Sequence, residues 1–423
     1  MIIIHTMNDN HSQSELHYKS RWIASLLMDA VKEHPVVVLT GARQVGKSTL
    51  LQHESPFKDW QYSSLDDFEI LELARKDPQS IWAGTNQIVL DEVQKSTNIL
   101  NAVKMAVDSH KGKYRFLLSG SANLILMKQV SESLAGRAVY FTLYPMTYGE
   151  LTDSSPPNTL QLLFDGNFQN FAIKNLPVVN PYDLMWKGFL PPLMYFSSST
   201  SVVRWWDGYI STYLERDLRQ LSQIDSLADF RRLMVALALR CGQVLNQTEV
   251  SRDIGISQPT IHRYINLLET TCLIDRLPAF FVNRTKRLIK SNKIIFVDPG
   301  LASFLAGHYE TKSLVSSRVA GGIFESMIYL HLKSLSQQLT PTPRIYYWRT
   351  VTGKEVDFVI EWGRRLLAIE VKLTDKPKYS DIENLKIFLK EYPETTAGIL
   401  FYTGSEIKRM HEKIIALPWA LLN

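Results

Sequence analysis

Val36-Val37-Val38-Leu39-Thr40-Gly41-Ala42-Arg43-Gln44-Val45-Gly46-Lys47-Ser48-Thr49 is the stretch on which the reading of the N-terminal third turns. Four consecutive aliphatic residues without polar alternation describe a strand covered on both faces. Gly41 to Ser48 then match G-x-x-x-x-G-K-[ST], and Thr49 to His53 continue in residues a helix accepts. Strand, loop and helix in that order make a phosphate cradle. Glycine at 41 and 46 lets the backbone of Ala42, Arg43, Gln44 and Val45 curl, so that its N–H groups converge at the positive end of the following helix. Lys47 would reach the β- and γ-phosphates of ATP, Ser48 would hold Mg²⁺, and Thr49 would close the set of loop contacts. The alternative is a glycine-rich loop with no ligand, against which the strand–loop–helix context argues.

Working outward, Ile88-Val89-Leu90 is a second apolar run and ends in Asp91-Glu92. At the carboxyl edge of a parallel sheet these acids would stand beside the loop of the first strand. There Asp91 would orient Mg²⁺ through water, and Glu92 would align or deprotonate the attacking water. A third run, Arg115 to Leu118, leads into Ser119-Gly120-Ser121-Ala122-Asn123. Ser119 or Asn123 could touch the γ-phosphate, or the segment is a Ser/Gly turn that caps the next helix. Arg137 could neutralise charge on the transferring phosphoryl group, in cis or from a neighbouring subunit; a surface arginine is the alternative.

These runs, with Trp60 to Ser63 and Ala138 to Leu143, alternate with helix-length polar segments, including Leu16 to Glu33 and the acidic Asp66 to Arg75. The pattern predicts a doubly wound parallel α/β sheet over residues 16–152, after a loose tail at 1–15. Residues 153–200, punctuated by Pro156, Pro157, Pro177, Pro181, Pro191 and Pro192, read as a lid or linker. Residues 201–310 read as a helical domain ending in short strands, and 311–423 as a second α/β domain.

The whole chain has 423 residues, 45% hydrophobic and 21% charged, values that exclude wholesale disorder. Its net charge of +5 is uneven: −1 over residues 1–150, −1 over 151–200, +3 over 201–310 and +4 over 311–423. A nucleic acid would therefore meet the C-terminal half. Two cysteines, Cys241 and Cys272, exclude a disulfide framework and a cysteine-rich zinc site and fit a reducing cytoplasm. No run of about 18 apolar residues is present, so the expectation is a chain that does not span a membrane.

The strand spacing and the adjacent Asp91-Glu92 resemble the AAA-type division of P-loop ATPases. Tyr62 to Asp67, Asp91 to Lys95, Leu134 to Arg137 and Pro145 to Glu150 resemble a bacterial and archaeal subset in more detail. So do Gly188-Phe189-Leu190-Pro191 and Tyr213-Leu214-Glu215-Arg216-Asp217. That resemblance covers the chain from about residue 17. It implies an ATPase core coupled to a winged-helix segment and to a C-terminal domain of unknown function related to restriction-endonuclease-like folds. The polar, proline-rich stretch from Asp153 to Pro181 is longer than that family's pattern.

Leu245 to Asp253, Gly255, and Ser257 to Leu268 read as helix, tight turn and second helix. Ser257 could cap the second helix, and Val250, Ile254, Ile261, Ile265 and Leu268 provide the buried side of the pair. Gln258, Thr260, His262 and Arg263 lie where a major-groove reader places base contacts. Arg284, Lys286, Arg287, Lys290 and Lys293 follow without an acid among them, as a wing on a phosphate backbone would require. Winged helices also dock proteins, so a protein partner remains the alternative to DNA.

Val356 to Ile360 and Leu367 to Lys372 read as two strands of a hairpin, with Glu370 and Lys372 on one face. Asp357 could join them and Glu325 approach from the preceding helix, an arrangement resembling the PD-(D/E)XK nuclease core. Such acids could bind Mg²⁺ while Lys372 supports the attacking water. A nuclease relic that no longer cuts is the alternative. Three readings of the chain follow: an ATP-hydrolysing switch, an ATP-gated metal-dependent nuclease, and a non-enzymatic DNA- or protein-binding module. Homo-oligomerisation is compatible with each.

Overall fold

The computed structural model describes residues 18–120, 134–168, 171, 179–212, 224–281 and 291–423. The first layer is built from α1 (Ile23–Glu33), β1 (Val36–Gly41), α2 (Lys47–His53), β2 (Gln61–Ser64), α3 (Phe68–Lys76), β3 (Gln87–Asp91), α4 (Thr97–Ser109), β4 (Arg115–Ser119) and β5 (Ala138–Leu143). All six residues of β1 are buried, as the unbroken apolar run requires. Asp67 caps α3 by accepting from the amides of Glu69 and Ile70, so the helix starts two residues later than Asp66. The helix expected over Leu16 to Glu33 likewise begins only at Ile23.

The five strands run in the order β2-β3-β4-β1-β5, every pair parallel. β4 lies between β1 and β3, which carries Asp91, and the parallel run brings the carboxyl end of β3 to the same sheet edge as the loop after β1. Leu39 of β1 is level with Ser119 of β4, and Leu90 of β3 is level with Leu118.

The middle of the chain is helical: α5 (Tyr148–Leu151), α6 (Thr159–Phe164), α7 (Pro181–Lys187), α8 (Ser199–Tyr209), α9 (Leu227–Ala238), α10 (Gln247–Ile254) and α11 (Gln258–Thr270). The antiparallel pair β6 (Ile274–Leu277) and β7 (Lys293–Phe296) closes this part, followed by α12 (Pro299–Leu305) and α13 (Thr311–Val315). Last come α14 (Ala320–Gln337), β8 (Arg344–Arg349), β9 (Glu355–Trp362), β10 (Arg365–Lys372), α15 (Glu383–Glu391), β11 (Thr395–Tyr402), β12 (Lys408–His411) and β13 (Ile414–Pro418). Their six strands form one mixed sheet, β12-β13-β11-β10-β9-β8, parallel from β10 through β11 to β13 and antiparallel elsewhere.

One apolar core runs from Trp22 and Val37 in the first layer through Trp206 and Leu237 to Phe358, Trp419 and Leu422 in the last. The joint is close. The Tyr148 amide donates to His331 Nε2 at 3.0 Å, and the rings of Tyr148 and Trp419 meet edge to face. A Cβ on Gly322 would stand 2.0 Å from the carbonyl oxygen of Cys241, so α14 packs backbone to backbone on the middle part. Cys241 and Cys272 are both free thiols. Among the described residues no helix is long and apolar enough to cross a membrane.

Candidate functional site

The loop between β1 and α2 turns through three left-handed residues, Gly41 (φ +151°), Gln44 (+67°) and Gly46 (+91°). Gly41 is required for a second reason: a Cβ there would stand 2.4 Å from the carbonyl oxygen of Leu143 on β5. Lys47 is 7% exposed, and its ammonium folds onto its own loop, donating to the carbonyls of Gly41 at 3.1 Å and Ala42 at 3.0 Å. Burial lowers its pKa, against the opposing pull of Glu92 and Asp91.

Those two acids end β3 at the same sheet edge. Asp91 is 1% exposed; its Oδ2 accepts from the Tyr62 hydroxyl at 2.6 Å, and its Oδ1 from the Glu92 amide at 2.9 Å. Burial, then the neighbouring Asp91 charge, raises the pKa of Glu92, which turns through φ +55° and takes a hydrogen bond from Gln94. Between the loop and these acids, at the end of the intervening β4, Ser119 is completely buried, and its hydroxyl has no hydrogen-bond partner in the protein. A buried orphan hydroxyl costs free energy unless something meets it.

The donor set suits Mg²⁺: hard oxygens from Ser48 and Asp91, with Tyr62 hydrogen-bonded to Asp91 and within reach of Ser48. Among the described residues no group of three or more His, Cys, Asp or Glu could hold a metal by itself. The tyrosine belongs to no phosphate-loop motif, and only the fold brings it to Asp91.

Arg137 does not join the site of its own chain. Its neighbour Ala138 is level with Val36, the first residue of β1, so Arg137 lies at the opposite edge of the sheet from Lys47, on the order of 15 Å away. There it pairs with Asp108 at the end of α4 through Nη2–Oδ2 at 3.0 Å. The cis role is thus corrected, because a parallel strand delivers its first residue to the wrong edge. Asn123 lies outside the described residues.

The middle segment touches the loop from behind. The Tyr209 hydroxyl donates to the Arg43 carbonyl at 3.4 Å, and Pro191 Cγ is 3.5 Å from where a Cβ on Gly46 would be. A small cavity lined by Ala42, Pro145, Leu190, Tyr209, Cys272 and Leu273 separates the two layers.

The helix–turn–helix expectation is met in its local geometry. Gly255 ends α10 in a left-handed conformation, Ser257 caps α11, and Val250, Ile261, Ile265 and Leu268 are buried. Gln258 is exposed and donates to Thr248 at 3.0 Å, and Thr260 pairs with Ser257 at 2.9 Å. Arg263 is ion-paired to Asp225 and lies over the Tyr264 ring, so its guanidinium is held by its own helix bundle. Arg284, Lys286, Arg287 and Lys290 lie outside the described residues.

Lys293 departs most from expectation. Grouped by sequence with a solvated basic run, it is instead completely buried on β7. Its ammonium is 2.7 Å from Glu325 Oε2, 2.9 Å from Glu355 Oε1 and 3.3 Å from Asp357 Oδ1. Two of the four residues proposed as a nuclease centre, Glu325 and Asp357, therefore face a lysine, and the other two, Glu370 and Lys372, lie close enough to feel their charges. Asp357 Oδ2 is taken by the Val371 amide at 2.8 Å, and Lys372 donates to Glu370 Oε1 at 2.6 Å, leaving Glu370 Oε2 buried and unpartnered.

Burial opposes the charge on Lys293, yet Glu325, Asp357 and Glu355 together hold its pKa well above the ordinary value. Burial and the Asp357 charge push Glu325 up to about 8, and the same two causes raise Glu370 well above the carboxylate range. Glu325 and Asp357 together do not fit a divalent ion. The place between Glu325 and Asp357 already holds a cation that belongs to the chain.

A family profile described as "AAA domain" matches residues 33–152, and two described as domains of unknown function (DUF8612 and DUF4143) match residues 180–312 and 320–422. An uncharacterized protein of Mycobacterium tuberculosis is 30% identical over 400 residues, covering 93% of this chain and 82% of the relative. An uncharacterized protein of Haemophilus influenzae is 20% identical over 413 residues, covering 91% and 94%. Among solved structures, a Walker-type ATPase of Pyrococcus abyssi is similar with a TM-score of 0.44 at 16% identity, covering 69% of this chain and 99% of that one. A Holliday junction branch migration motor of Thermotoga maritima is similar with a TM-score of 0.29 at 16% identity, covering 63% and 92%.

Proposed function

The chain belongs to one family with its 30%-identical mycobacterial relatives and carries an AAA-type ATPase domain, and from that premise we propose that it is an ATP-binding, ATP-hydrolysing switch. One observation carries the reading: Lys47, Asp91, Glu92 and the orphan Ser119 hydroxyl share one sheet edge, with Tyr209 and Pro191 of the next segment against the loop behind them. On this reading the loop amides and Lys47 hold the phosphates, and Lys47 exchanges the carbonyls of Gly41 and Ala42 for them. Ser48 and Asp91 hold Mg²⁺, which when bound neutralises phosphate charge and orients the γ-phosphate. Glu92, its pKa raised, takes the proton of the attacking water, and Ser119 orients that water or the phosphate. Arg137 acts, if at all, on a neighbouring subunit.

The bundle α9–α11 with the β6–β7 pair supports a winged helix, and its charge supports DNA as the partner. The lysine-centred cluster argues against the nuclease alternative and for a nuclease-like fold kept as a scaffold or docking surface. A reducing cytoplasm suits the two free thiols. Steady-state phosphate release with and without DNA tests the proposal. Nucleotide binding without turnover would reduce the chain to a binding module, and failure to bind any nucleotide would remove the reading.

A further inference from the structure

We propose that Arg21 is a positioning residue for the phosphate loop, acting through the carbonyl of Val45; this rests on the nucleotide-binding reading above. Arg21 precedes α1 and carries no motif, yet it is 5% exposed and its guanidinium joins three separate segments. Nε donates to Glu150 Oε1 at 3.1 Å, Nη1 to the Val45 carbonyl at 2.8 Å and Nη2 to the Tyr144 carbonyl at 2.7 Å. Glu150 is itself locked: Oε1 also accepts the Trp22 amide at 2.8 Å, and Oε2 accepts the Thr147 amide at 2.8 Å, in a capping box at the start of α5. The far end of α2 is tied to the same strap, because Glu54 accepts from the Tyr18 hydroxyl at 2.9 Å and the Ser20 hydroxyl at 2.6 Å. Residues 18–22 therefore grip the phosphate-loop helix at both ends.

The consequence is geometric. In a trans peptide the carbonyl and the next N–H point in opposite directions. Holding the Val45 oxygen on Arg21 therefore aims the Gly46 N–H away from Arg21. Gly46 lacks a Cβ and sits at φ +91°, so no side chain on the far side of this peptide plane helps to fix it. Only a planar fork reaches a carboxylate and two carbonyls together, which makes arginine and lysine unequal here.

The test is Arg21→Lys, which leaves a cation opposite Glu150 but removes the fork. In nucleotide-free protein, the ¹⁵N order parameters of the Gly46 and Lys47 amides should fall, while those of Val36 to Leu39 stay as in wild type. Affinity for ADP and ATP should fall about tenfold. Glu150→Gln, which loosens the guanidinium without removing it, should give a smaller fall at the same amides and serves if the lysine variant does not fold. A lower Tm with wild-type order parameters at Gly46 and wild-type nucleotide affinity would overturn the proposal and leave Arg21 as a packing residue. The relaxation comparison needs no ligand, so a wild type that binds no nucleotide would defeat the ATPase reading through a different result.

Discussion

Replacing Lys293 by Met keeps most of the stem that β7 buries and removes only the ammonium. Three carboxylates, Glu325, Glu355 and Asp357, would then face one another around a position that is fully buried. Removing one partner of a buried, hydrogen-bonded ion cluster costs about 3–5 kcal/mol. At about 2.1 cal/mol/K of unfolding entropy per residue, a cooperative chain of 423 residues loses about 3–6 °C in Tm.

The sign of the pH dependence follows from the carboxylates. Glu325 is pushed up to about 8 even with the lysine in place, and without it must rise further. A folded acid with a raised pKa holds a proton that the unfolded chain has released above about pH 4.5. Stability therefore falls as pH rises from about 5 to 8 or beyond, by at most about 1.4 kcal/mol per pH unit for each such proton. The Tm gap between wild type and Lys293→Met should widen as pH rises through about 8, where Glu325 ionises beside Lys293 in the wild type and stays protonated in the variant. Mn²⁺ should raise the Tm of the variant and not that of the wild type, because only the variant offers carboxylates without their own cation. Differential scanning calorimetry at pH 5.5, 7 and 8 measures all of this. Equal Tm values at pH 8, or a metal response in the wild type, would refute the reasoning.

Lys47→Ala should abolish measurable ATP binding, whereas Glu92→Gln should bind ATP normally and slow turnover by about 100-fold or more, checked by isothermal titration and phosphate release. Gly41→Ala drives a methyl group to 2.4 Å from the Leu143 oxygen, so Tm should drop and nucleotide binding be lost, read by the same titration and a melting curve. If DNA binds, its affinity should fall steeply with salt. Arg284→Ala, Lys286→Ala and Arg287→Ala should each flatten the log–log slope by about one, measured by fluorescence anisotropy. Gln258→Ala should alter base preference instead, whereas Arg263→Ala should lower Tm, because Arg263 is held by Asp225.

The parallel strands were legible because burial on both faces leaves an uninterrupted apolar run, as at Val36 to Leu39 and Ile88 to Leu90. The phosphate loop was legible because its geometry demands glycine at fixed spacing. What sequence could not carry was lateral order. Nothing in Arg115 to Leu118 says that this strand inserts between the two that bear Lys47 and Asp91, or that Arg137 is delivered to the far edge. Lys293 misled for a related reason. A lysine that ends a basic run reads as solvated, and the acids that bury it lie 32 to 64 residues further along. Arg21 was silent because its partners, two backbone carbonyls and Glu150, become neighbours only after folding, and Tyr62, which opens a segment of the family resemblance, gave no sign that its hydroxyl meets Asp91.

Three profiles divide this chain, but its largest apolar cluster crosses their borders, joining Trp22, Leu237 and Leu422, while two smaller clusters stay almost within the first and last parts. Units of inheritance and units of folding thus differ here. Cutting near residue 315 would bare the face of α14 that Cys241 and Gly242 now cover at backbone distance, together with the ring contacts of Trp419 on Tyr148. Fragments expressed separately should be sticky, and the intact chain should melt in a single transition rather than three. The same cluster makes the last sheet part of the surroundings of the middle segment whose Tyr209 and Pro191 meet the phosphate loop.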